Sequence, residues 1–471
     1  MSAATSASGR KSERFDRVLR GLDMTLFTVA AILVIETLAP SAAIGPSSIS
    51  WWLITLLFFF IPYGLITAEL GTAYPEQGGL YIWVKRAFGE KWAVRTIWLY
   101  WMSVVLWPPA VFIVFAGIFS QLFVPDLGLW GQIAIAIVMT WAVVWVGIIR
   151  LGTSKWIPNI GAFFKALIMV VIGVAAVIYA ARHGLANDLS FTSILPSLDA
   201  GLFFLPVVVY NFMGFELMSG AGEEMKNPKR DIPRAIIISG ALIALFYLLG
   251  TVGMLMAVPA EELGLVEGII DTLRIVLGDS GFGGAMVTIL GIGALYALFT
   301  NMVTWTIGAN RSVAEAADEN ELPRAIGKLH PVNKTPVNAF LITGIASTVV
   351  IVIYGLMAGT AEDLFWTMFA FSSVLFLLPY LALFPAFLVL RYKDRDVERP
   401  YRFPGGLALA WIATVICELF ILQANVFFFW VPGEPIDWSF TLPVLIGVAI
   451  TVILGEVMIV LARKERARRA V

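Results

Sequence analysis

The sequence is poor in cysteine, histidine and charge. One cysteine, Cys417, and two histidines, His183 and His330, cannot build a disulfide framework, a Cys/His zinc centre or an iron–sulfur cluster. No cofactor and no metal are therefore expected. Charged residues make up 14% of the 471 positions, against about 25% in a soluble domain, and hydrophobic residues 59%, against roughly 45–50%. A soluble globule is excluded. Lys and Arg total 32 and Asp and Glu 33, a net charge of −1, so no basic surplus points to nucleic acid. Nor is there a glycine-rich nucleotide loop of the kind that drives a pump.

What the chain has in abundance is long apolar sequence. Crossing a bilayer takes about 20 mostly apolar residues in a helix, because every backbone amide must be satisfied internally. Twelve such runs are read at 24–46, 51–72, 93–123, 130–149, 157–180, 201–222, 235–258, 284–308, 337–357, 364–390, 406–430 and 439–461. They are continuous rather than alternating, which selects helices over barrel strands. The expected fold is all-α and integral to the membrane, with 12 transmembrane helices in one domain at 23–462. Residues 1–22 are expected to remain as a cytoplasmic tail and 463–471 to form a second, basic one. Lys and Arg set the orientation, since cytoplasmic loops carry the excess. The termini and even-numbered connections hold 29 of them, the opposite side only Arg182 and Arg274, and Lys165 falls inside a span. This places both termini in the cytoplasm of a multi-pass plasma-membrane protein. The acidic stretch 259–283 has apolar residues at helical spacing and predicts a helix over the outer face.

Two spans resist a continuous helix. The first carries Glu36, Pro40, Gly45 and Pro46 in its middle and outer half; the sixth packs Asn211, Gly214, Glu216, Gly220 and Gly222 into one crossing. Proline removes a helix donor and crowds the preceding turn. Paired broken helices are how carriers free backbone groups near mid-membrane for a substrate. Breaks at positions one and six open two five-span halves of opposite orientation, about 23–180 and 200–391, followed by two peripheral spans at about 406–462. Such an inverted repeat predicts a carrier working by alternating access. A channel is the competitor from another class, and no selectivity-filter-like segment supports it. An enzyme is not expected, for want of intramembrane His or Cys constellations.

Charges inside the membrane are the next clue, because each costs roughly 2.5–3.5 kcal/mol at the bilayer centre. Glu36 lies about thirteen residues into span one, roughly 18–20 Å along the helix, near mid-membrane. It is the candidate to attract an ammonium or amidinium group. Lys165, about nine residues from the cytoplasmic end of span five, has the chemistry of a proton carrier. Glu216 reads equally as a tie for broken span six or as a coupling group. Glu418 and Glu456 fall outside the two repeats and are read as packing or interface residues.

The sixth span and its tail, GFELMSGAGEEMKNPKRDIPRAI, resemble the signature of the amino acid-polyamine-organocation superfamily. The matching positions are Gly214, Glu216, Glu223, Asn227, Pro228, Pro233 and Ala235. PEQGGLYIWVKRAFG after span two and ANRSVAEAADENELP after span eight are similar to the same family, so the likeness covers the first nine or ten spans. The resemblance implies two inverted five-helix repeats with helices one and six discontinuous and carrying the substrate. A Gly-Ser-Gly-like turn that offers amides to a substrate carboxylate in family members corresponds here to Ala39, Pro40 and Ser41. Pro40 has no N–H and both glycines are absent. An aromatic lid falls at Tyr210, followed by Asn211, and a site-facing tryptophan at Trp305; Ser103 and Ser372 take lining positions. Glu36 is similar in place to a glutamate of polyamine transporters and glutamate/GABA antiporters. Gly152 to Lys165, in the pattern G-x-S-K-x(3)-N-x(5)-K, matches sodium-independent members in which a lysine fills a sodium position. The resemblance thus implies a secondary transporter for an amino acid or related small amine, by proton-coupled or sodium-independent exchange. A polyamine or diamine carrier is the alternative, favoured by Glu36 and the missing glycines.

Overall fold

The computed structural model describes residues 21–75, 79–149, 156–197, 200–217 and 227–469. In chain order the helices are α1 (Gly21–Ile32), α2 (Leu38–Ala43), α3 (Ser48–Ala73), α4 (Leu80–Phe88), α5 (Glu90–Leu106), α6 (Pro108–Phe123), α7 (Leu129–Ile148) and α8 (Trp156–His183). They continue with α9 (Leu205–Tyr210), α10 (Pro228–Ala257), α11 (Gly268–Leu277), α12 (Gly281–Asp318), α13 (Val337–Gly355), α14 (Ala361–Leu377), α15 (Tyr380–Lys393), α16 (Gly406–Phe427) and α17 (Trp438–Arg469). The described residues contain no strand, only one isolated bridge between Leu329 and Pro336.

Ten segments among the described residues are long and apolar enough to cross a membrane. They coincide with ten of the twelve expected runs. The other two, 24–46 and 201–222, are the runs that do not form continuous helices. The first leaves the helix after Ile32 and re-enters it at Leu38; the second leaves it after Tyr210, through Asn211–Phe215. Residues 218–226, with Gly220, Gly222 and Glu223, lie outside the described residues, as does Gly152. Pro40 does not itself break span one. It is the third residue of α2, where a missing N–H costs little because first-turn donors have no partner within the helix.

Proline placement explains two further interruptions that apolarity alone conceals. The run 93–123 is divided at Trp107, where Pro108 and Pro109 open α6. The run 364–390 is divided at Leu378–Pro379, between α14 and α15. α14 begins in a capping box, with Thr360 Oγ1 and the Asp363 carboxylate each accepting the other residue's amide at 3.1 Å. Several helices outrun their apolar runs: α12 continues ten residues past 308, and α17 reaches Arg469. A helix needs only its own backbone bonds to extend into water, whereas the apolar stretch stops with the lipid.

The stretch 259–283 contains the expected helix, α11, whose Gly268–Thr272 face is buried against α2 and α10. Gln121 Nε2 bridges its acidic side, donating to Asp271 at 2.8 Å and to Glu267 at 3.2 Å. Burial, then the neighbouring Asp271 and Glu362 carboxylates, hold Glu267 above the usual carboxylate range. At the opposite end of the molecule Lys85 of α4 pairs with Glu319 and Glu321 beyond α12. Buried Glu69 of α3 receives Arg391, Arg399 at 3.1 Å and the Phe403 amide at 2.7 Å.

Candidate functional site

Breaking a helix orphans its last four carbonyls, and inside a bilayer each must find a donor. At the end of α1 all four do. The Val29 carbonyl accepts from the Leu33 amide at 3.0 Å. Ala30 accepts from Lys165 Nζ of α8 at 2.8 Å, Ala31 from Trp305 Nε1 of α12 at 3.1 Å, and Ile32 from the Tyr247 hydroxyl of α10 at 2.9 Å. The same Tyr247 oxygen accepts the Val34 amide at 2.9 Å. Lys165 is thus no snorkelling lysine: it is buried, and its second acceptor is Asn301 Oδ1 at 2.8 Å.

The second break is stitched the same way by a tyrosine from α3. Tyr63 accepts the Gly214 and Phe215 amides at 3.1 and 3.0 Å and donates to Glu216. Gly214 has φ +122°, and a Cβ there would stand 3.0 Å from Ile32 Cγ1, so the two breaks meet at this glycine. Glu216 also accepts from Tyr380 at 2.7 Å and Tyr100 at 3.1 Å, a buried carboxylate ringed by three phenols. Asn211 ties the breaks together: Thr37 Oγ1 donates to its Oδ1 at 2.6 Å, and its Nδ2 donates to Ser41 Oγ at 3.1 Å. Ser41 donates in turn to the Thr37 carbonyl at 2.7 Å.

Beside the breaks is a small cavity of about 10 Å³, room for one water. Four of the sequence-derived residues line it: Ser103, Tyr210, Trp305 and Ser372. Val104, Trp107 and Phe376 complete the wall. The four rings form a closed cycle of edge-to-face contacts, Trp107 to Trp305 at 5.5 Å, Trp305 to Phe376 at 5.8 Å, Phe376 to Tyr210 at 5.5 Å and Tyr210 to Trp107 at 6.1 Å. Trp107 Nε1 is buried with no partner among the described residues, whereas Ser103 and Ser372 donate to the Tyr100 and Phe369 carbonyls.

Glu36 sits in the first break, 1% exposed. Its charge acts on Lys165, Tyr210 and Tyr247, and the Ile35 and Glu36 amides face it. Among the described residues neither carboxylate oxygen has a hydrogen-bond partner of ordinary geometry. Of the remaining expected positions, Ser41 and Asn211 are spent on joining the breaks, Gly214 and Glu216 shape the second break, and Pro40 is buried in α2. Ala39 packs against Gly268 of α11. The residues that sequence reasoning passed over are Thr37, Tyr63, Tyr100, Trp107, Tyr247, Asn301, Phe376 and Tyr380. A buried tyrosine hydroxyl needs a partner, so tyrosines inside apolar runs were the available signal.

A family model described as amino acid permease matches residues 19–454. The probable agmatine/putrescine antiporter AguD of Lactococcus lactis subsp. lactis is similar at 33% identity over 437 residues, 92% of this chain and 93% of the relative. An uncharacterized transporter of Legionella pneumophila subsp. pneumophila is 28% identical, covering 83% of this chain and 84% of its own length. The branched-chain amino acid permease BcaP of Bacillus subtilis is 25% identical, with coverage of 89% and 90%. Signature, helical architecture and full-length relatives agree: the chain belongs to the amino acid permease family of the amino acid-polyamine-organocation superfamily, and is a multi-pass membrane transporter rather than an enzyme.

Proposed function

We propose that the protein is a twelve-span secondary carrier that exchanges small cationic amines, of the diamine or guanidino-amine kind, by alternating access. The observation that carries this reading is Glu36, a buried carboxylate in the first break that is faced by its own backbone amides and has no side-chain donor among the described residues. A cationic nitrogen satisfies it; a zwitterion brings a second negative charge to the same place. Ala39–Ser41, inside α2, lack the glycines and one of the amides that a carboxylate would use. The ring cycle of Trp107, Trp305, Phe376 and Tyr210 suits a cation too, since an ammonium over a desolvated aromatic face gains about 2 kcal/mol. Agmatine and putrescine, which the relative at 33% identity is named for, are of this class.

Exchange follows from the same carboxylate. An empty carrier must close around a buried carboxylate that only the Lys165 charge and backbone amides offset, and leaving a buried charge without a partner costs about 3–5 kcal/mol. A loaded carrier avoids that cost, so return with a second amine is faster than return empty. Lys165 holds a positive charge between the first and eighth spans, which supports sodium-independent, proton-linked coupling. The cavity admits no substrate until its rings part. Opening toward one side or the other is then a motion of the two half-helices against α3 and α10.

The repeat architecture draws support from the tyrosines: Tyr63 of the second span holds the sixth, and Tyr247 of the seventh holds the first. That is the exchange a two-fold relation between halves would give. The proposed domain remains 23–462, with both termini cytoplasmic by the lysine and arginine distribution. One observation favours an amino acid instead, the unpartnered Trp107 N–H, which is a donor for a substrate carboxylate. The test is counterflow into proteoliposomes preloaded with agmatine, putrescine or neutral amino acids. Amines are expected to accelerate uptake, and Glu36→Gln to lower it about 100-fold, near 3 kcal/mol, with normal membrane insertion. Wild-type kinetics in Glu36→Gln would remove Glu36 from the site.

A further inference from the structure

A second cavity lies between α15 and α16 and shares no residue with the aromatic one. Its volume is about 330 Å³, within the range of small-molecule sites. Leu388 and Val389 of α15 and Val415 and Leu419 of α16 form apolar walls, and Val415 and Leu419 are about half exposed. In a membrane-spanning pair of helices that exposed side is the lipid side.

Two polar groups at the deep end of this cleft have no hydrogen-bond partner among the described residues. Thr414 is 4% exposed, yet its hydroxyl has no partner, not even the carbonyl one turn back that most buried threonines of this protein use. Glu418, one turn further along the same face, has Oε1 buried and unpartnered. Its depth is fixed by its neighbour, since Cys417 Sγ donates to the Phe59 carbonyl. Phe59 is eleven residues from the Ser48 end of α3, about 17 Å, so Glu418 is close to mid-membrane. A carboxyl there is costly unless a partner meets it. At the shallow end Trp411 donates its indole N–H to the Tyr392 hydroxyl at 3.0 Å.

We infer that this cleft is a binding site for a lipophilic amine that enters from the bilayer. The nitrogen meets the Glu418 carboxyl beside Thr414 once the Glu418 side chain rotates Oε1 toward the cleft, and the alkyl or aryl body lies along the apolar walls toward the Trp411 ring. A lipid acyl chain offers nothing to the two polar atoms. An anionic headgroup is held at the interface, about 18 Å away along α16, and carries the wrong charge. The site is independent of the transport reading, since it requires neither Glu36 nor the ring cycle.

The test uses the full-length protein in nanodiscs and two photoreactive probes, a diazirine-bearing long-chain alkylamine and the matching alkanol, with labelled peptides mapped by mass spectrometry. The amine is expected to label residues 385–419 saturably and at about tenfold lower concentration than the alkanol. Glu418→Gln should abolish that preference, Thr414→Val should weaken it, and Val415→Trp should block both probes by filling the cleft. An unchanged size-exclusion profile and thermal unfolding temperature confirm that each variant is folded. Equal labelling by amine and alkanol, unchanged preference in Glu418→Gln, or cross-links between two copies of α16 in place of probe labelling would each overturn the inference.

Discussion

The hydroxyl of Tyr247 supports two backbone groups at once, and its removal should be felt throughout the first break. Tyr247→Phe deletes one oxygen and keeps the ring, which stacks on Trp52 at 4.8 Å and 20°. The ring's packing energy is therefore retained. What is lost is the donor to the Ile32 carbonyl and the acceptor for the Val34 amide, in a region where Ile32, Val34 and Tyr247 are at most 3% exposed. Each buried backbone group left unpaired costs about 1–3 kcal/mol, so the variant should lose about 2–6 kcal/mol. Cys417 supplies the assay. It is the sole cysteine and fully buried, so a thiol-reactive maleimide fluorophore reports unfolding on heating without any engineered label. Tyr63→Phe, which frees two amides and a carboxylate oxygen, should fall further than Tyr247→Phe. If Tyr247→Phe labels at the wild-type temperature, the tyrosine is not what holds the break open and the accounting of carbonyls is wrong.

Gly214→Ala forces a side chain into a positive-φ position and against Ile32; a loss of about 1–3 kcal/mol in the same thiol assay is expected, and wild-type stability would show that the breaks do not meet there. Lys165→Met leaves the Ala30 carbonyl and Asn301 unpaired and takes the positive charge from beside Glu36. Uptake that still followed the wild-type pH profile would exclude Lys165 from coupling. Glu267 of α11 is raised above its ordinary 4.5 by burial and nearby carboxylates, so the folded state binds its proton more readily than the unfolded chain. Its contribution to stability therefore grows as pH falls from neutral toward 4.5, and Glu267→Gln should flatten that slope in scanning fluorimetry. A variant with the wild-type slope would refute this.

Hydropathy located ten crossings because a lipid-facing helix must be apolar along its whole length. It could not show that Trp107 and Leu378–Pro379 interrupt two of them, since a proline kink leaves composition unchanged. The two broken spans were legible for the complementary reason: carboxylates, glycines and an asparagine have no business in lipid unless backbone is being exposed. Glu36 and Lys165 stood out as charges out of place. The tyrosines did not, because a phenol passes as apolar in any hydropathy sum, and only the fold shows which hydroxyl reaches which carbonyl. Trp107 and Phe376 were invisible among 16 tryptophans and 33 phenylalanines.

The crossed tyrosines have a consequence for how the chain is made. Val34 leaves the ribosome 213 residues before the tyrosine that will hold it. Until then the end of α1 has carbonyls with no donor from α10. The first half of the chain is thus synthesised as a debtor to the second, and the second to the first through Tyr63. Two fragments divided in the connection after His183 should insert separately, yet neither should acquire a formed break alone. Co-expressed, they should recover it together.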